Sequence, residues 1–136
     1  MATTNLSTNS DIRFKSPLPE ELFGDIARTK AQLIAEAGRK KENNNSRQLR
    51  KFYDELVMWN DKIQQAELKA EKYQECAPFI KMLKAKVAYA RGRKHVDESF
   101  EQFFMHIIQQ IDSVDSLKYA KLFMEAFMGF YKAQEK

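Results

Sequence analysis

The sequence predicts an all-α protein, a compact bundle of about five helices with a flexible N-terminal tail. Three observations lead there. Apolar residues recur at three- and four-residue spacing through most of the chain. Only four Gly and three Pro punctuate 136 residues, too few for the turns of a many-stranded sheet. Ten Phe, five Tyr and six Met give enough apolar bulk for a core, and the length suits one domain.

Residues 1–18 are rich in Ser, Thr and Asn and end near Pro17-Leu18-Pro19. They are expected to form the tail, with Phe14 and Leu18 available to pin it to the body. Residues 19–136 are expected to form a single helical-bundle domain. Pro19 followed by Glu20 and Glu21 opens a first helix over about 20–37, because acids suit the positive end of the helix dipole. Leu22, Ile26, Leu33 and Ile34 give it an apolar face, and Gly38 is expected to end it. Asn45 or Ser46 can cap a second helix. In it, Leu49, Phe52, Tyr53, Leu56, Trp59, Asn60 and Ile63 share one face, opposite Arg47, Arg50, Lys51 and Asp54. Residues 64–75 either extend that helix or form a short one. Pro78 places a break near 75–77.

A third helix is expected over 78–91, with Leu83, Val87 and Ala90 buried. Lys81, Lys84 and Arg91 lie on one flank, and Lys86 and Arg93 on the other. Gly92 is expected to close it. Phe100, Phe103, Phe104, Ile107, Ile108 and Ile111 mark a fourth helix opening near Asp97. A fifth, over about 116–133, has an apolar face wider than one neighbour requires. A central position in the bundle accounts for that width, and a second protein partner is the alternative.

Charge is distributed unevenly. The net charge is +4, yet 78–95 holds Lys81, Lys84, Lys86, Arg91, Arg93 and Lys94 with no acid. Residues 39–51 hold six more cations against Glu42 alone, so the two segments carry +11 and the remainder −7. Two basic segments on an acidic body fit a localised anion site such as a phosphate backbone, or else lysines that merely solvate helix faces. Arg39, Lys40 and Lys41 complement the C-terminal dipole of the first helix. Arg47, Arg50 and Lys51 sit at a helix N-terminus, where the dipole opposes them, so capping does not account for them.

Catalytic patterns are missing: there is no Gly-rich phosphate loop, HExxH, paired CxxC or ExxH. No enzyme, cofactor or metal is therefore expected. His106 reads as a boundary histidine, and the single Cys76 as an unreactive thiol. One cysteine, no apolar run long enough to span a membrane and no signal-like N-terminus lead to a cytoplasmic expectation. Tyr53 and Tyr89 are capable of stacking on bases, but core packing is the expectation for both.

Three stretches in order resemble the small subunit of type III-A CRISPR effector (Csm) complexes. They are the QLRKFY core at 48–53, FIKMLKAKVAYARGR at 79–93 and the aromatic closing helix FMEAFMGFYK at 123–132. The resemblance implies a non-catalytic subunit for antiviral defence, present in several copies that form the inner filament of a ribonucleoprotein, with nuclease chemistry left to other subunits. It implies crRNA and target RNA as partners, held by their backbones, together with other Csm subunits and self-association, including a possible dimer in isolation. Carried onto these motifs, the RNA-binding candidates are Arg47, Arg50, Lys51, Lys84, Lys86, Arg91 and Arg93. Lys81, Lys94 and His95, beside the motif, are weaker candidates. The alternative is a structural helical protein–protein interaction module without direct RNA binding.

Overall fold

The computed structural model describes residues 9–135. A π-helical turn, Leu22–Ile26, leads into α1 (Ala27–Lys41), followed by α2 (Ser46–Gln64), α3 (Lys69–Lys81), α4 (Leu83–Gly92), α5 (Glu98–Gln110) and α6 (Val114–Gln134). Only Met82 separates α3 from α4, so the two make one bent rod, and the bundle has five rods among the described residues. None of their helices is long and apolar enough to cross a membrane.

The first helix does not open at Glu20 as expected: that stretch forms the π-turn, kinked at Gly24, and α1 begins at Ala27. The starts of α2, α5 and α6 follow the sequence closely. Asn45 accepts the Gln48 N–H at 3.0 Å and caps α2. Asp97 accepts the Phe100 N–H at 3.1 Å and caps α5. Ser113 caps α6 through a reciprocal box with Ser116, two residues earlier than expected.

Helix ends depart from expectation twice. Gly38 does not end α1, which continues for almost another turn. Gly38 is buried, and a Cβ there would stand 2.5 Å from the Asn43 carbonyl oxygen and 2.7 Å from the Asn44 Cβ. Its role is close approach. The left-handed closing residue is Glu42, with φ 57°. α4 does end at Gly92 as expected, but the left-handed position is taken by Lys94, with φ 64°, and the His95 N–H returns to the Ala90 carbonyl at 2.9 Å.

The second departure is the break expected at 75–77. The chain instead breaks at 65–68 and bends at Met82, so Pro78 and Cys76 both lie inside α3. Pro78 faces solvent, where water can serve the carbonyl that its missing N–H leaves unpaired, and its own carbonyl still accepts the Met82 N–H at 3.1 Å.

α6 is the central rod, packed between α1 and α2 and against α5. This internal position accounts for its wide apolar face. Phe103 meets Phe127 at 4.7 Å between ring centroids, and Phe100 stacks on Phe104 at 5.7 Å. Phe52 of α2 adds a third ring, 5.1 Å from Phe104. Of the expected tail, residues 1–8 lie outside the described residues. The stretch 9–18 is packed on the bundle: Ile12 and Phe14 are fully buried, and the Phe14 ring lies 5.9 Å from Phe123. His106 Nε2 stands 2.9 Å from the Ile12 carbonyl oxygen and helps hold the segment.

Replacing Gly38 by Ala should destabilise the fold by about 1–3 kcal/mol, because the clash is with backbone that is itself tied down. Urea or thermal melts of the variant test this, and an unchanged midpoint would contradict the close-approach role.

Candidate nucleic-acid interface

The two basic segments come together through one buried asparagine. The Asn44 N–H donates to the His95 carbonyl at 3.0 Å. Its side-chain Nδ2 donates to Asp97 Oδ1 at 2.7 Å and to the Ile34 carbonyl at 3.3 Å. Its Oδ1 accepts the Asp97 N–H at 2.7 Å, and its carbonyl accepts the Tyr131 hydroxyl. The C-termini of α1, α4 and α6 and the N-termini of α2 and α5 therefore lie at one end of the bundle. Arg39, Lys40 and Lys41 reach that end from α1, Arg47 and Arg50 from α2, Arg91 and Arg93 from α4, and Lys132 from α6.

Two grooves there mix cations from different segments. One, of about 660 Å³, is lined by Asn45, Ser46, Arg47, Arg50, Met128 and Lys132. The other, of about 250 Å³, brings Lys41 beside Arg91 and Lys94, with Asp97 and Glu98 at its wall. Lys41 and Lys132 are absent from the sequence-derived set. Lys41 had a sufficient explanation in the dipole of α1. Lys132 lies more than 80 residues from Arg47, and only tertiary contacts such as Glu135 accepting the Ser46 N–H at 3.2 Å reveal that they are neighbours.

The predicted cations divide by partner. Arg47, Lys51 and Lys84 have no ion-pair or hydrogen-bond partner among the described residues, and Arg47 and Lys51 are exposed. Arg50 lies 3.7 Å from Asp54, and Lys86 bridges to Glu55 of α2 at 3.0 Å. Arg91 lies 3.9 Å from Glu98 and 3.7 Å from Glu101 on α5. Arg93 donates to the Tyr89 hydroxyl at 3.1 Å. The two flanks of α4 thus face different neighbours: Lys86 turns toward α2 and Arg91 toward α5.

The three weaker candidates have other duties. Lys81 lies at the far end of the bundle, where its ammonium donates to the carbonyls of Ile108 and Ile111 at 2.7 and 2.6 Å and closes α5. Burial and the nearby Lys84 pull its pKa down, against the opposing pull of Asp112. Lys94 is exposed but forms the left-handed turn, and half-buried His95 contributes the carbonyl that receives Asn44. Tyr53 is partly buried against the core as expected. Tyr89 is not a core residue: it is 66% exposed.

Burial alone would raise the Asp97 pKa. The hydrogen bonds from Asn44, Ser99 and the Phe100 N–H, with Lys41 Nζ at 3.6 Å, outweigh it and hold the carboxyl below its ordinary range. Burial, Glu135 and Asp97 push the Tyr131 hydroxyl up, which keeps it a neutral donor to Asn44.

The family description Csm2 Type III-A matches residues 21–136. The chain belongs to this Csm2 family. It is accordingly a small subunit of a type III-A CRISPR effector, associated with other Csm subunits, in a structural small-subunit family. No curated protein and no solved structure matches the chain.

Two stability measurements follow. Lys81→Met should cost about 1 kcal/mol by removing a charged donor from the α5 C-terminus, read as a lower melting midpoint. Because Asp97 is depressed in the folded state, its contribution is present above the unfolded carboxylate pKa, near 4, and is lost as pH falls through the folded value. Asp97→Asn should therefore lose less stability than the parent on acidification below about pH 4, measured as midpoint against pH.

Proposed function

We propose that this Csm2-family subunit holds the crRNA–target RNA duplex by its backbone within the effector, as one of several copies in an inner filament, in cytoplasmic antiviral defence. The observation that carries this reading is the meeting of the two basic segments at one end of the bundle, joined by the Asn44–His95 hydrogen bond of 3.0 Å. Cations that the sequence scatters over 50 residues thereby present a common field to a polyanion. Base pairing with the guide supplies sequence specificity, so the protein needs only charge and shape. Arg47, Arg50, Arg91 and Arg93 suit bidentate phosphate contact, and Lys51, Lys84 and Lys86 act as point charges. Contact with neighbouring subunits is supported by exposed Met58, Phe79 and Met82, with the Phe79 ring stacked 6.1 Å from Trp59.

The cations without partners give the cleanest test, because their loss breaks no ion pair. Arg47→Glu combined with Lys51→Glu should leave helicity and melting nearly unchanged and strongly weaken RNA retention. Each phosphate contact removed should lower the log–log salt slope by roughly 0.7–0.9. Unchanged RNA affinity and salt slope in a folded double variant would overturn the reading. Loss of assembly without any RNA affinity in the parent subunit would favour the protein–protein module instead.

A further inference from the structure

The outward face of α4 carries a feature that backbone neutralisation does not use. At 100° per residue, Tyr89, Ala85, Gly92 and Ala88 occupy a continuous arc between two rows of cations. Lys86 and Arg93 form one row, and Lys84 and Arg91 the other. Ala85, Ala88 and Gly92 are all exposed, and a Cβ added at Gly92 would meet nothing within 4 Å. The result is a shallow track of small side chains from which a single large ring stands out.

That ring has no role in the fold. Tyr89 is 66% exposed, lies outside the core cluster and has no aromatic neighbour among the described residues. It is nevertheless held in place. The Arg93 guanidinium lies 5.8 Å from the ring centroid and donates to the hydroxyl at 3.1 Å. On that flank the Glu55 carboxylate is already paired with Lys86. An oriented aromatic face beside an unobstructed track, bordered by cations, is the combination that binds single-stranded nucleic acid. The base stacks on the ring, and the adjoining phosphates meet the charges. Each cation pair is seven residues apart, roughly 10 Å along the helix, a span suited to about two nucleotides of an extended strand.

We infer that α4 binds a short single-stranded RNA segment lengthwise, with one base stacked on Tyr89 and its flanking phosphates between the Lys86–Arg93 and Lys84–Arg91 rows. This rests on the RNA reading above but assigns α4 an unpaired strand and a base contact, which duplex backbone holding does not require. Cations on both flanks of the track favour a polyanion over a protein ligand.

The test uses the full chain and fluorescently labelled single-stranded oligouridylate at low salt, alongside an oligomer of equal length carrying abasic riboses. The parent should bind the abasic strand about fivefold or more weakly than oligouridylate. Tyr89→Ala should lose affinity for oligouridylate by a similar factor and bind both strands alike, with melting unchanged. Tyr89→Phe should restore most of the difference. Equal binding of both strands by the parent, or an unaffected Tyr89→Ala, would overturn the base contact while leaving phosphate binding intact. Loss of subunit association in Tyr89→Ala with unchanged RNA affinity would assign the ring to a protein partner and overturn it too. Absence of any RNA binding by the parent would overturn both this inference and the reading beneath it.

Discussion

The structure depends on the complete use of Asn44. Both of its backbone polar groups and all the hydrogen-bonding capacity of its amide nitrogen are engaged, in a site only 1% exposed. Its partners come from α1, the turn after α4, the cap of α5 and the last turns of α6. A buried amide has to find partners, and these are the ones it has among the described residues, so the arrangement is self-selecting: displacing any of the four elements that supply them leaves a buried polar group unpaired. Asn44 also has φ 60°, a conformation that asparagine tolerates better than most residues. Gly38 completes the arrangement by letting this loop lie directly on α1. Asp97 links the polar network to the core, since the carboxylate that receives Asn44 also starts the helix bearing Phe100, Phe103 and Phe104.

This constraint is what allows so much positive charge at one end. Three helix C-termini there offer the negative ends of their dipoles to Arg39, Lys40, Lys41, Arg91 and Lys132. Buried Asp97 adds a carboxylate held in its charged form. The cations at the start of α2 sit against the positive end of their own helix, and Arg47 and Lys51 stand exposed without partners among the described residues. Repulsion among them is tolerated because the five rods are fixed by the aromatic core and by Asn44, not by surface ion pairs, which contribute little individually.

Periodicity made the helical class and the core legible. Leu83, Val87 and Ala90 are buried as their spacing predicts, and so are the Phe and Ile of α5. Caps were legible at Asn45 and Asp97 because each acts on an amide within three residues of itself. The end of α1 and the turn that follows α4 were not, because Gly38 and Gly92 invited a local rule while the decisive contacts were distant: Asn43 against Gly38 through tertiary packing, and Lys94 in the left-handed turn that delivers the His95 carbonyl to Asn44. Pro78 misled for a related reason, since its cost is small where solvent can serve the freed carbonyl. The flanks of α4 followed from helical geometry alone. The convergence of Arg47 with Lys132, and of Lys41 with Arg91, is a property of which helix ends meet, and no window of sequence contains it.

The lysines of the α4 region show how far composition misleads about binding. Lys81, Lys84 and Lys86 lie within six residues and read as one run of charge. Lys81 spends its charge on two carbonyls of α5, Lys86 on Glu55 of α2, and Lys84 on nothing among the described residues. An ammonium already satisfied by fixed oxygens must lose those bonds to serve a phosphate, whereas Lys84 exchanges only water. Arg93 differs again, since its guanidinium steadies the Tyr89 ring and still offers N–H groups outward, because five donors outnumber one hydroxyl. The capacity of this surface for an anion is therefore set by which charges the fold has left unused, and among these lysines that is Lys84, across the alanine track from the exposed ring.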